Sequence, residues 1–544
     1  MTKNSFIQKV STRVPRVPLL SRSVYLVVCM GYMMTSTFAQ TSKINAPLTI
    51  YNDYPGGNIL VDSIVGDQIY IHQDINGIWG NWFYWNFKVK GATPGKTYTF
   101  NFTHPWEDVK KMQVVGVHGP AISLDEGKTW TWAGKENTTA HSFTYTFPSN
   151  TSVVQLSAVI PYTEADYTRF MERYKNHPNV YERGLTVSEG GRKVECLHIG
   201  KVAGNVSHKV LITARHHACE SMGSFVLEGL IEAVLEDDTD GKWLRENVEF
   251  LLIPFMDKDG VEEGRQGKNQ RPRDHNSDYK GESLWASVSA LKSFVPKWGG
   301  QSIKVALDIH CPFISGGSHE SVYMVENFRE PTQVQQSLFS AHLERSVKNS
   351  LPYKESNNIK FGTSWNKGKK DSRFSDWAHS MNSVRLVSTI EMPYANASGT
   401  VVTAENTRVF GRDLASAIAK YLQTESQESK VTSTQQTPKS AEQETPKTTT
   451  TLVPHSTGLP KGIESWINGR VNYYTKNLNL NEQQAQQIRG FFTESAKRGA
   501  EIKETLKGEE QKKASWQNQR EREHKVNSIL TEEQKKKMAE LEKK

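Results

Sequence analysis

Four apolar runs, each ending in or next to polar chemistry, constrain this chain most. They are VLITA (210–214), VEFLLIPF (248–255), VALDIH (305–310) and VRLVSTIE (384–391). Each reads as a buried strand. Between the first two, SFVLEGLIEAVLEDD repeats apolar residues at helical spacing through Phe225, Leu227, Leu230, Ile231, Val234 and Leu235. Strands alternating with helices predict an α/β domain with a mostly buried sheet over residues 162–423. Open α/β sheets place their sites beyond the carboxyl ends of the strands. The residues to watch are therefore those just after Ala214, at His310 and at Glu391.

The flanks read differently. Residues 44–161 are short aromatic and β-branched runs such as NWFYWNFKVKG, KTYTFNF and SFTYTF, punctuated by ATPGK and DEGK. This pattern predicts an antiparallel β-sandwich. Residues 424–458 have almost no large apolar side chains and predict a disordered linker. Residues 459–544 are dense in Lys, Glu and Gln and predict a small all-α segment. Within it, Leu480-Asn-Glu-Gln-Gln484 is echoed by Leu530-Thr-Glu-Glu-Gln534, each an N-cap-like residue followed by helix-starting acids and amides.

The N-terminus reads as an export signal over residues 1–39. Lys3, Lys9, Arg13, Arg16 and Arg22 form a basic region, an apolar stretch runs from Val24 to Met34, and Thr37-Phe38-Ala39 supplies a cleavage site. The apolar stretch is short for a spanning helix. A secreted or periplasmic protein is expected, with no stable membrane insertion after cleavage. The net charge of +8 over 544 residues is too mild to argue for nucleic acid. Beyond the signal only Cys196, Cys219 and Cys311 remain. That count excludes a disulfide-built scaffold. It leaves open either a Cys219–Cys311 bridge or small unpaired core residues.

His217 and Glu220, in ITARHHACES, lie three positions apart just after the first strand. An imidazole and a carboxylate at that spacing can reach one ion, and zinc accepts both. On a solvated helix the same spacing would be an idle pair. His310, at the end of VALDIH, supplies a third ligand, and a catalytic zinc keeps its fourth position open. Glu391 ends the last strand, where a carboxylate must be paired or face a pocket. It is the candidate general base.

In order and context these residues resemble the zinc carboxypeptidases of the carboxypeptidase A-like family. ITARHHACES resembles the first ligand motif, VALDIHCP the third-ligand strand and STIEMPY the strand with the catalytic glutamate. The interval MDKDGVEEGRQGKNQRPRDHNSDY resembles the family's Asn-Pro-Asp-Gly-Val … Asn-Arg segment. With WNFKVKGATPGKTYTFNF and VIPYTEADYTRF before it, the chain is most similar to the cytosolic carboxypeptidase subfamily and its bacterial relatives. The resemblance covers residues 44–422. It implies a mixed-sheet catalytic domain, one zinc per chain on His217, Glu220 and His310, and Glu391 as general base.

It also implies Asn276 as a ligand of the substrate carboxylate. The family's next arginine is replaced by Ser277, and its polarising arginine aligns with Gly267. Arg271 and Arg273 are the nearby candidates to bind substrate instead. No tyrosine lies between Tyr353 and Tyr394, leaving Trp365 and Trp377 as candidate pocket walls. The tail resembles the LTxxQ helical proteins of bacterial envelopes, which would give it an envelope partner. The resulting expectation is an exported hydrolase that cleaves a peptide or protein substrate with a zinc-activated water. An amidase acting on blocked or cell-wall peptides, or a zinc-containing peptide-binding module, are the alternatives.

Overall fold

The computed structural model describes residues 47–75, 82–103, 113–204, 206–368, 371–434, 459, 461–507 and most of 510–543. The predicted export signal lies outside the described residues, as do residues 435–458 of the predicted linker.

Nine strands form the N-terminal sandwich. They are β1 (Thr49–Tyr51), β2 (Leu60–Val65), β3 (Gln68–His72), β4 (Asn86–Lys90), β5 (Thr97–Phe102), β6 (Ala121–Ser123), β7 (Thr131–Trp132), β8 (Ser142–Thr146) and β9 (Val153–Ser157). One sheet has the order β1-β4-β9-β6-β7 and the other β2-β3-β5-β8. All pairs are antiparallel except β3 with β5, which is parallel. Alternation sends Trp85, Phe87, Phe100 and Phe143 inward. There Trp85 and Phe143 stack at 5.7 Å and Phe100 and Phe143 at 4.8 Å. The predicted aromatic richness is core.

The largest sheet has seven strands: β10 (Val180–Val187), β11 (Lys193–Gly200), β12 (His208–Ala214), β13 (Val248–Ile253), β14 (Ile303–His310), β15 (Tyr323–Val325) and β16 (Leu386–Glu391). Their order is β10-β11-β13-β12-β14-β16-β15. The four central strands, β13, β12, β14 and β16, are parallel, and the remaining pairs are antiparallel. This is the mixed sheet expected, and the four apolar runs are its parallel centre. Helices α1 (Glu164–Met171), α2 (Met222–Leu235), α3 (Thr239–Asn247), α4 (Lys258–Glu262), α5 (Ala286–Gly299), α6 (Glu330–Ser346), α7 (Phe374–Ser380) and α8 (Ala404–Thr434) complete it. Helix α8 continues to Thr434, so the first residues assigned to the linker from 424 are helical.

Sandwich and seven-stranded sheet share one apolar core. Phe83 packs edge-on against Tyr394 at 5.6 Å, and Leu156 and Ile212 belong to the same buried cluster. Helices α2 and α8 meet at two glycines. A Cβ on Gly229 would lie 1.8 Å from the Arg408 carbonyl oxygen, and one on Gly411 would lie 2.1 Å from that of Val226.

The tail helices α9 (Lys461–Leu478), α10 (Glu482–Thr505) and α11 (Glu532–Lys543) enclose their own core of Ile467, Val471, Leu478, Ile488, Phe492 and Leu530. The echoed motif has a physical role here. Gln484 accepts from the Asn481 N–H and donates to the Ile529 carbonyl at 2.9 Å. Gln534 accepts from the Thr531 N–H and donates to the Leu478 carbonyl at 3.2 Å. The two amides also bond each other at 2.8 and 3.2 Å. Each motif starts its own helix and ties down the approach to the other.

A methyl at Gly229 must push two backbones apart. Gly229→Ala should destabilise the chain by about 1–3 kcal/mol, seen as a lower melting temperature in calorimetry. An unchanged melting temperature would contradict the close α2–α8 contact.

Candidate metal centre

Parallel register builds the site. It sets His310 opposite Glu391 across β14 and β16, and Thr213 and Ala214 opposite Asp308 and Ile309 across β12 and β14. The ends of three strands thus converge, and the turn 215–221 follows directly from the end of β12.

That turn is held by a buried arginine. Arg215 has φ 60°, a left-handed conformation that costs roughly 1–2 kcal/mol outside glycine. Its guanidinium offsets this by donating to the Tyr162 carbonyl (2.9 Å), Ser224 Oγ (3.0 Å) and, through Nε, the Ala218 carbonyl (3.0 Å). Hydrogen bonds from a charged donor contribute about 1.5–3 kcal/mol each. The turn therefore projects His217 and Glu220 from a fixed backbone.

The three predicted ligands converge. His217 Nδ1 and Glu220 Oε1 are 2.8 Å apart, His310 Nδ1 and Glu220 Oε2 2.8 Å, and the two Nδ1 atoms 3.2 Å. All three side chains are buried. Four-coordinate zinc with bonds of about 2.0–2.1 Å needs donor atoms ~3.3 Å apart. Two imidazole nitrogens and a carboxylate aimed at one point fit that ion.

The far side of each imidazole meets a carboxylate. His310 Nε2 bonds Asp308 Oδ2 at 2.5 Å, and His217 Nε2 faces Asp274 Oδ2 at 3.7 Å, beyond hydrogen-bond reach. Asp308 also bonds His216 Nδ1 (2.8 Å) and Thr213 Oγ1 (2.8 Å), and His216 Nε2 bonds the Tyr279 hydroxyl at 2.7 Å. Burial opposes ionisation of Asp308, yet His216 and His310 hold it well below the usual carboxylate range. Carboxylates behind histidine ligands fix the ring and strengthen the donor. His216, Asp308 and His310 also lie close enough to hold a cation, but they are already joined by these hydrogen bonds.

Glu391 is buried and its Oε2 has no hydrogen-bond partner. Burial pushes its carboxyl above the ordinary range, with His310 and Lys268 pulling the other way. Tyr323 lies opposite it across β15 and β16, fully buried, its hydroxyl likewise unpartnered.

The predicted substrate residues fare unevenly. Asn276 Oδ1 accepts from the Phe374 N–H at 3.2 Å, which leaves its amide NH₂ as the free donor. Arg273 is committed to Asp278 (2.5 Å) and the Glu282 carbonyl (2.6 Å), and Arg271 is exposed. Among the described residues, neither arginine pairs with Glu220 or Glu391. Trp377 packs against Tyr279 at 5.3 Å and Phe374 at 5.8 Å as part of a core, and Trp365 is 41% exposed. The three cysteines are free and buried, Cys219 Sγ lying 3.6 Å from the Tyr394 hydroxyl.

Lys268 is the residue that sequence reasoning missed. Its Nζ lies 2.7 Å from Glu220 Oε1 and 2.9 Å from the Cys311 carbonyl. The available signal was its place beside Gly267, in the segment expected to carry a cation. A cavity of about 270 Å³, lined in part by Asp257, Gln270, His275, Trp285 and Ser287, includes neither the ligands nor Glu391. Unpartnered polar atoms on all of these but the tryptophan make it suited to ordered water.

The zinc carboxypeptidase family profile matches residues 167–508, more than half of the chain. This chain belongs to the zinc carboxypeptidase family. Cytosolic carboxypeptidase 2 of Xenopus tropicalis is 27% identical over 225 residues, covering 37% of this chain and 23% of that protein. Cytosolic carboxypeptidase 6 of Caenorhabditis elegans is 23% identical over 291 residues, covering 49% of this chain and 62% of that protein. These matches thus span less than two thirds of either relative. A metallo-carboxypeptidase from Pseudomonas aeruginosa, solved with (2-guanidinoethylmercapto)succinic acid, superposes with a TM-score of 0.58 at 20% identity. The match covers 69% of this chain and 99% of that one. Another, from Burkholderia cenocepacia, gives 0.56 at 18% identity over 70% of this chain and all of that one. At such identities the likeness establishes the fold.

Asp308→Asn should weaken zinc binding by about 10–100-fold while the circular dichroism spectrum is unchanged. Competition with a chromophoric chelator measures it. Parent-like zinc affinity would remove Asp308 from the support of His310.

Proposed function

We propose that this chain is an exported metallocarboxypeptidase-like hydrolase that cleaves a peptide or amide bond, with Glu391 as general base. The observation that carries the reading is the buried, half-unpartnered Glu391 carboxylate set in register beside His310. When bound by His217, Glu220 and His310, zinc supplies Lewis-acid chemistry, acidifying water and drawing electrons from a carbonyl. Glu391 takes a proton from the attacking water as its oxygen bonds to the carbonyl carbon. It returns that proton to the amine nitrogen as the C–N bond breaks. Burial, which raises this carboxyl above its ordinary range, makes it a better acceptor for the proton of the attacking water.

Asn276 is the remaining candidate for a substrate's terminal carboxylate, through its free NH₂. Ser277 beside it and Arg273 paired with Asp278 leave neither of those positions offering a bidentate guanidinium clamp on a carboxylate. That observation favours a second reading, an amidase on blocked or cell-wall peptides. Export is supported by the basic and apolar pattern of residues 1–39. Among the described residues no helix is long and apolar enough to cross a membrane. The tail is the candidate surface for an envelope partner.

Glu391→Gln should keep one zinc per chain and lose about 100-fold or more in turnover, by metal analysis and peptide hydrolysis. Full turnover in that variant would exclude Glu391 as the base. Peptides with free and blocked C-termini, assayed side by side, separate the two substrate readings: equal cleavage of both sinks carboxypeptidase action. Intact mass of the protein from its native host should show a mature chain starting at Gln40. A chain retaining residues 1–39 would refute cleavage at Ala39.

A further inference from the structure

The arginines expected to attend the substrate are turned elsewhere, yet the centre does hold one cation. Among the described residues, Lys268 alone of the lysines and arginines pairs with a metal-ligand carboxylate. Its Nζ is 2.7 Å from Glu220 Oε1, its side chain is 15% exposed, and Glu391 is its next electrostatic partner. The ammonium also donates to the Cys311 carbonyl at 2.9 Å and lies 5.2 Å from the centre of the Phe313 ring. A lysine ammonium has three N–H donors. Two are accounted for by Glu220 and Cys311, and the third remains.

Its neighbours explain why the cation comes from position 268. Gly267 has φ 76°. A Cβ there would fall 2.4 Å from the Ala218 nitrogen and 2.8 Å from Asp257 Oδ2. No side chain fits at 267, so the residue aligned with the family's arginine is sterically closed. The loop is also fixed just upstream. The Gln266 carbonyl accepts from the Cys219 N–H at 3.1 Å, inside the ligand-bearing turn. Gln266 Oε1 accepts from the Phe83 and Tyr84 N–H groups at 2.7 and 3.3 Å. With Gln266 held through both its carbonyl and its side chain, the loop delivers the next side chain but one, Lys268, to Glu220.

We propose that Lys268 is a catalytic residue, the cation that stabilises the oxyanion formed at the scissile carbonyl. As water oxygen bonds to the carbonyl carbon, the C=O π pair moves onto oxygen, and the free Lys268 N–H donates to it. When the C–N bond breaks the pair returns to re-form C=O, and Lys268 is unchanged. A preorganised cation at a developing negative charge in a buried site is the arrangement that lowers such a barrier most. The proposal rests on the hydrolase reading above and names the electrophile within it.

The test uses the full chain loaded with one zinc and a phosphinic tripeptide, whose tetrahedral –PO₂⁻– group replaces the scissile amide. Lys268→Met should retain one zinc per chain, lower kcat by about 100–1000-fold with little change in KM, and weaken the phosphinic peptide by a similar factor. Lys268→Arg should recover part of both losses. A Met variant that binds the phosphinic peptide as tightly as the parent would overturn the proposal. So would loss of zinc from both folded variants, which would make Lys268 a counter-ion of Glu220 alone, or a zinc-loaded parent that binds no phosphinic peptide. If the parent hydrolyses no peptide but Lys268→Met still weakens the phosphinic ligand, the hydrolase reading fails and the catalytic role with it, while Lys268 stands only as the cation that binds a tetrahedral anion.

Discussion

Register between parallel strands is the constraint on which the site depends. Side chains alternate along a strand, so a slip of one residue would send His310 or Glu391 to the opposite face. The pairing of Val305 with Leu386 through His310 with Glu391 prevents that slip along the whole length of β16. It is enforced by burial, since Leu307, Ile309, Leu386 and Ile390 fill one core and Ala306 and Val387 the other. The metal ligands themselves contribute little to holding this frame. The three donor groups lie 2.8–3.2 Å from one another, and strands buried in the hydrophobic sheet bring them together.

Polar groups then refine what the sheet positions. Arg215 locks the turn, Asp308 and Asp274 back the two imidazoles, and Lys268 faces Glu220. Each is buried or nearly so and each has a partner, as the cost of an unpaired buried charge requires. Glu391 Oε2 and the Tyr323 hydroxyl are the exceptions beside the metal ligands. The two residues lie opposite each other on adjacent strands.

Much of this was legible in the sequence, for a physical reason. Residues at strand ends inherit their position from the strand, and apolar runs announce strands. His217, Glu220, His310 and Glu391 all follow or end such runs, and in the structure the first three converge while Glu391 pairs in register with His310. Asn276, Arg271 and Arg273 lie in a loop, whose direction no periodicity encodes. The sequence offers three cations near one another, Lys268, Arg271 and Arg273, and the one that pairs with Glu220 is Lys268. What decides among them is the room at Gly267 and the salt bridge to Asp278, both tertiary facts. The tail motif was read as helix-start chemistry, which it is. The reciprocal bonding of Gln484 and Gln534 needed the packed helices to appear.

The sandwich has a consequence for how this chain can be taken apart. It grips the loop ahead of Lys268 through the Phe83 and Tyr84 N–H groups. It also supplies Asn58 to the Gly264 carbonyl at 2.8 Å and Gly56 to that of Glu262 at 2.9 Å. The Ile160 and Tyr162 carbonyls, at its exit, receive Ser221 and Arg215. The boundary between the two domains thus runs through the scaffolding of the catalytic centre. They form a single heritable unit: neither could be shuffled onto another partner without re-inventing the backbone contacts that shape the site.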